Sequence, residues 1–176
     1  MEPNVSTQDP TARDPGEQPV EGTVLAFIGI IAATALVAAL GGLVSAGDQD
    51  PWYEALNKAP GTPPGFVFGT VWPILYTLMA VGACMVWRAA GSWKRADGAL
   101  GIFFLQLLPN LGWTFLFFKY HLAMLALIDI VILWVLVAMM IKRFGKHSKV
   151  AAQLQWPYLA WLTFATYLNA WAVFAN

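Results

Sequence analysis

Charge is what this sequence has least of. Ten Lys and Arg and ten Asp and Glu make up 11% of its 176 residues, against roughly a quarter in soluble domains. A net charge of zero gives no basic surface for nucleic acid. The single cysteine, Cys84, has no partner for an intrachain disulfide, and its apolar surroundings in the chain mark it as packing. There is no HExxH, no Cys/His cluster and no glycine-rich phosphate loop, which removes metal and nucleotide sites of the usual kinds. Ser45, Ser92 and Ser148 sit at the ends of apolar runs, away from Asp129, so no Ser-His-Asp set is expected.

What the sequence has instead is 59% hydrophobic residues gathered into five long runs. They cover about 23–46, 68–90, 100–118, 122–144 and 150–175. A hydrocarbon core of about 30 Å takes about 20 helical residues at about 1.5 Å each, and each run meets that length. The expectation is an all-α membrane protein, a single five-transmembrane-helix bundle over 23–176 with no extramembrane domain. Residues 1–22, with four prolines and five acids, are expected to form a disordered tail; they lack the positive n-region of a secretory signal. Eight Lys and Arg (Arg13, Arg88, Lys94, Arg95, Lys142, Arg143, Lys146, Lys149) fall on one side of such a bundle, and Lys58 and Lys119 on the other. The positive-inside rule then puts the N-terminus in the cytoplasm and the C-terminus outside. An odd number of spans shows no inverted repeat of the kind secondary transporters use.

The first connection, 47–67, is unlike the short ones that follow. Its four prolines, three glycines and Trp52-Tyr53 pair predict an ordered, irregular cover with a helical turn near Trp52–Asn57. It reads either as an interfacial aromatic anchor or as a lid over a cavity. In the third run, Gln106, Asn110, Trp113 and Phe117 are spaced by four, three and four, hence on one helical face. Amides are costly against lipid, so this face should point inward, either gluing helices together or lining a pocket. Phe68, Trp72, Tyr76 and Met79 form a similar stripe in the second run, and Trp161, Ala165, Leu168 and Asn169 in the fifth. Pro109 is expected to kink the third helix. Asp129, the one acid inside the runs, should be protonated or bonded to a neighbouring helix, in a functional or a structural role. Trp87, Trp93, Trp156 and Trp171 fit an aromatic belt, and His121 a solvated turn. The small pairs Ala35/Ala39 and Ala38/Gly42 permit close helix approach within the chain or between copies.

Four segments resemble the tryptophan-rich sensory protein and translocator protein family, also called the peripheral benzodiazepine receptor family. They are Trp52-Tyr53 with Leu56 and Lys58; Pro63-Pro64 followed by Trp72, Leu75 and Tyr76; Gln106, Asn110, Trp113, Phe117 and Phe118; and the run Pro157 to Asn169. The resemblance implies a five-helix bundle, a homodimer, and a first connection folded over a pocket. It implies porphyrins such as protoporphyrin IX as ligands, with no cofactor required, besides drug-like isoquinoline carboxamides and benzodiazepines; animal members also bind cholesterol. Carried over by position, the pocket would be lined by Tyr53, Pro63, Phe68, Trp72, Tyr76, Gln106, Asn110, Trp113, Trp161 and Ala165, and Asp129 matches an acid found in some members. Two departures stand out. Gly61 occupies the place of the usual loop tryptophan, and no basic residue follows Tyr167 to complete the proposed sterol motif.

The reading that follows is a membrane receptor or sensor for a tetrapyrrole or another lipophilic aromatic molecule, with the bilayer as its surroundings. Light-dependent porphyrin degradation and transport of such molecules are the alternatives, although no acid–base pair or hinge pair is visible to drive either one.

Overall fold

The computed structural model describes residues 20–45, 50–96 and 98–176. The expected tail, apart from its last three residues, and the start of the first connection lie outside them. The described residues are helical, with no strand among them. The helices are α1 (Val20–Ser45), α2 (Pro51–Ala55), α3 (Gly65–Ala90), α4 (Ala99–Thr114), α5 (Ala123–His147), α6 (Lys149–Gln153) and α7 (Trp156–Phe174). A π-helical turn, Phe115–Lys119, extends α4.

Four segments are long and apolar enough to cross a membrane: Gly22–Ser45, Gly65–Ala90, Ala99–Lys119 and Ala123–His147. The fifth run differs from its expected form because it is broken into α6 and α7 at Leu154-Gln155. Pro157, in the first turn of α7, has no N–H to give the carbonyl of Gln153, so one continuous helix would leave that acceptor unpaired. α7 keeps 19 residues, but its many Trp, Tyr, Thr and Asn side chains dilute its apolar character.

Each helix buries a narrow seam. On α5 the buried residues are Ala126, Ile130, Leu133, Val137, Met140, Ile141 and Phe144, an alternation of four and three that matches knobs-into-holes packing. α5 packs on α4 and α7, and α1 packs on α3 and α4; α3 packs on α1, α4, α5 and α6 but hardly on α7. The opposite faces expose Leu25, Ile28, Leu43, Leu108, Ile128 and Ile132, as lipid-facing surfaces do. Threonine hydroxyls are satisfied within their own helix: Thr34, Thr70, Thr77, Thr163 and Thr166 all donate to the carbonyl four residues back.

Several local expectations need adjusting. α3 and α4 run through Pro73 and Pro109 without a break, and the irregularity of α4 comes later, at the π-turn. α1 approaches its neighbours through Gly41, where an added Cβ would lie 3.7 Å from Thr114 Oγ1 and 3.8 Å from Tyr76 Oη. Ala35, Ala39 and Gly42 face outward. Trp93 and Trp156 are exposed as a belt requires, while Trp87 is buried against Trp93.

Candidate functional site beneath the first connection

The cover begins at Asp50, whose side chain caps α2 by accepting from the Trp52 backbone N–H at 2.9 Å. Its other oxygen lies 2.6 Å from His121 Nε2, and the Trp52 indole stacks on the His121 ring at 4.4 Å and 15°. His121 is therefore a clasp holding the cover to the α4–α5 turn, beyond the solvated role expected of it. The bond to His121 holds the Asp50 carboxyl below its ordinary value. Two further contacts fasten the cover: Asn176 Oδ1 accepts from the Asn57 N–H at 2.7 Å, and the Tyr167 hydroxyl donates to the Pro60 carbonyl at 3.2 Å.

Under the cover, Tyr53 meets Phe117 and Phe118 edge-on or tilted, at 6.3 and 5.7 Å. These consecutive phenylalanines lie in the π-turn and meet each other edge-on at 5.1 Å. Burial pushes the Tyr53 phenol up, against the nearby Lys58 ammonium, which sits 4.7 Å over the ring. Lys58 also pairs with Glu54 at 3.0 Å.

These groups roof a cavity of about 40 Å³. Tyr53, Lys58 and Thr62 line it from the cover, Phe68 from α3, and Trp113, Phe117 and Phe118 from α4 and its π-turn. Ala165, Leu168, Asn169 and Trp171 complete it from α7. Of the pocket residues that the family resemblance implies, Tyr53, Phe68, Trp113 and Ala165 meet here.

Tyr76, Gln106 and Asn110 come together elsewhere, in a directed chain of hydrogen bonds. Tyr76 donates to Asn110 Oδ1 at 2.6 Å, Asn110 Nδ2 to the Tyr158 hydroxyl at 2.7 Å, and Tyr158 to Gln106 Oε1 at 3.0 Å. Gln106 Nε2 ends the chain on Met79 Sδ at 3.7 Å. Gln106, Asn110 and Tyr158 are at most 1% exposed, and both amides are engaged with neighbouring helices. A second tie runs from Trp113 Nε1 to Asn169 Oδ1 and from Asn169 Nδ2 to the Ala123 carbonyl, both at 2.9 Å.

The remaining expected residues lie around this centre. Trp72 packs against Tyr76 and Tyr158 at 5.6 and 6.4 Å. Trp161 meets Phe68 edge-on at 5.5 Å and faces a groove between α3 and α7. Pro63 is half-buried in the cover. Asp129 lies at the α4–α5 contact, where its Oδ1 would be 3.4 Å from a Cβ on Gly112 and its buried Oδ2 has no partner. Tyr158 and Trp171 were not singled out as site residues. The Tyr158, Leu162, Ala165, Asn169 spacing of four, three and four is the signal that marks the buried stripe of α7. Trp171 shares the cavity side with Leu168, three residues before it.

Comparison with known proteins decides the family. Residues 29–174 match the TspO/MBR family. The chain belongs to this family. It is 37% identical over 120 residues to the tryptophan-rich protein TspO of Chlorobaculum tepidum, covering 67% of this chain and 75% of that one. It is 36% identical over 139 residues to the translocator protein of Bos taurus, covering 76% and 82%. It is 35% identical over 150 residues to the tryptophan-rich sensory protein of Cereibacter sphaeroides, covering 85% and 90%. As a TspO/MBR protein with several long apolar helices, the chain is an integral, multi-pass membrane protein.

Proposed function

We propose that this TspO/MBR protein is a membrane receptor that binds porphyrin-like tetrapyrroles, and other flat lipophilic aromatic molecules, beneath the first connection. The observation that carries the reading is the cavity under the fastened cover, walled by rings from four segments (Tyr53, Phe68, Trp113 and Trp171) with Lys58 and Asn169 as polar groups. Rings offer stacking surface to a flat ligand, and an ammonium with an amide suits carboxylates or other polar edges. The name of the Cereibacter sphaeroides relative, tryptophan-rich sensory protein, accords with a sensing role.

At about 40 Å³ the cavity is far below the roughly 300–1,000 Å³ of drug-sized sites, so this arrangement is closed and binding requires its walls to move. The polar chain of Tyr76, Asn110, Tyr158 and Gln106 then serves as the floor of the site. Trp72 and Trp161 become wall residues that a ligand reaches once the walls part. In the same reading α7 is the fifth span, the N-terminus is cytoplasmic by the distribution of Lys and Arg, and the working unit is a homodimer.

The test is a protoporphyrin IX titration in nanodiscs, followed by quenching of tryptophan fluorescence. Ala165→Phe, which fills the cavity, and Phe68→Ala, which removes a wall ring, are each expected to weaken binding by about tenfold or more. Unchanged affinity in both folded variants would overturn the assignment.

A further inference from the structure

We propose that ligands reach this cavity sideways from the bilayer, through the groove between α3 and α7, with the Phe68–Trp161 ring pair as the door. The inference rests on the cavity being the ligand site. Three observations carry it.

The first is a gap between helices. α3 hardly packs on α7, and between them lies an apolar groove of about 400 Å³ lined by Val71, Ile74, Leu75, Ala160, Trp161 and Phe164, among others. Ile74 is nine residues beyond the start of α3, about 13 Å along it at 1.5 Å per residue. The groove thus opens near the middle of a hydrocarbon core of about 30 Å, where a lipophilic aromatic molecule dissolves.

The second is a shared wall. Phe68 lines the cavity, Trp161 lines the groove, and the two rings touch at 5.5 Å. Moving this one pair joins the two spaces.

The third is a difference in anchoring. The Trp161 Nε1 is buried without a hydrogen-bond partner, so turning this ring breaks no hydrogen bond. Trp113 and Trp134 are each held at 2.9 Å, to Asn169 and Thr163. The cover is tied down at Asp50, Asn57 and Pro60, so lifting it breaks several bonds at once. Of the two ways in, the side door is the less obstructed.

The experiment measures association rates of protoporphyrin IX supplied from preloaded vesicles to protein in liposomes, alongside the equilibrium affinity. Ala160→Phe and Ile74→Phe narrow the groove from its exposed rim, while Ile128→Phe changes an exposed α5 position outside it. Tyr167→Phe combined with Asn176→Ala loosens the cover. Both groove variants are expected to slow association and dissociation together, by about tenfold, with affinity nearly unchanged, because only the barrier rises. The α5 control and the loosened cover should stay within about twofold of the unmodified protein. Normal affinity with unchanged rates in both groove variants, or faster association in the loosened cover, overturns the door alone. Absence of equilibrium binding by the unmodified protein overturns the cavity reading and the door with it.

Discussion

The same three helices, α3, α4 and α7, build two adjoining regions of opposite character. In the floor, every polar atom of Asn110 is used and Tyr158 is wholly enclosed. Beneath the cover lies a cavity, and the indole N–H groups of Trp171 in its wall and of Trp161 in the neighbouring groove lack partners. In lipid, unsatisfied amides are expensive, so the floor is fixed by hydrogen bonding that few other arrangements can satisfy. Packed rings without hydrogen bonds have no such unique solution and can shift at low cost. The pairing teaches how a bundle can hold its shape at one level while leaving the end beneath the cover adaptable.

The largest expected effect comes from cutting the floor. Asn110→Ala leaves the Tyr76 hydroxyl without its acceptor and the Tyr158 hydroxyl with Gln106 as its one remaining partner, and an orphaned buried group costs about 1–3 kcal/mol. Unfolding in mixed micelles should show a loss of at least about 2 kcal/mol. A loss below a few tenths would mean that the floor is no more fixed than the roof. Gly82→Ala follows closely. Its Cβ would collide with Gln155 Nε2 and meet the Ala151 carbonyl at 3.2 Å, with Gln155 wholly buried and bonded to Leu78 and Ala151. The same unfolding experiment should register about 1–3 kcal/mol, while Gly69→Ala, with nothing within 4 Å, should be close to neutral.

A middle-sized effect separates the regions at their junction. Trp113→Phe keeps a ring in the cavity wall but removes the bond to Asn169 Oδ1. Stability should fall by about 1 kcal/mol, with porphyrin affinity changed by less than about threefold. A large loss of affinity with no loss of stability would place Trp113 in the roof instead.

Much of this division was legible in the sequence, because hydrophobic length and helical spacing are strong signals in lipid. Gln106, Asn110 and Trp113 had to share a face, and a face carrying amides had to point inward; the structure buries all three. Spacing alone left open whether the amides hold helices together or await a ligand, since that depends on Tyr76 and Tyr158 on other helices. On α7 the stripe through Trp161 and Leu168 was the less buried neighbour of the one through Tyr158 and Leu162, an ambiguity that arises when a helix is apolar nearly all round. The break before Trp156 follows from Pro157, but the π-turn at Phe115–Lys119 has no local signal. It lies where Phe117 and Phe118 meet Tyr53 of the cover.

The smallest effect tests the clasp at the edge of the roof. Asp50→Asn keeps an acceptor for the Trp52 N–H, since Asn caps helices about as well as Asp, and loses the charged partner of His121. The bond to His121 lowers the Asp50 carboxyl relative to its ordinary 3.8, so its stabilisation is complete above that value. It is lost as the pH falls through the lower value of the folded state. The protection of the amides of residues 51–62, relative to their intrinsic exchange at the same pH, should therefore fall at low pH in the unmodified protein, while Asp50→Asn should lack that acid step. The opening equilibrium should shift by about twofold to fivefold, as expected of a pair near water. His121 itself adds a second arm, because it holds a positive φ of 56°, a region that side chains other than glycine, Asn and Asp enter at a cost. His121→Ala loses the clasp and retains the strain, whereas His121→Gly loses the clasp and relieves the strain. The glycine variant should open less than the alanine one, and equal exchange in the two would show that the turn, unlike the floor, stores nothing for the cover to draw on.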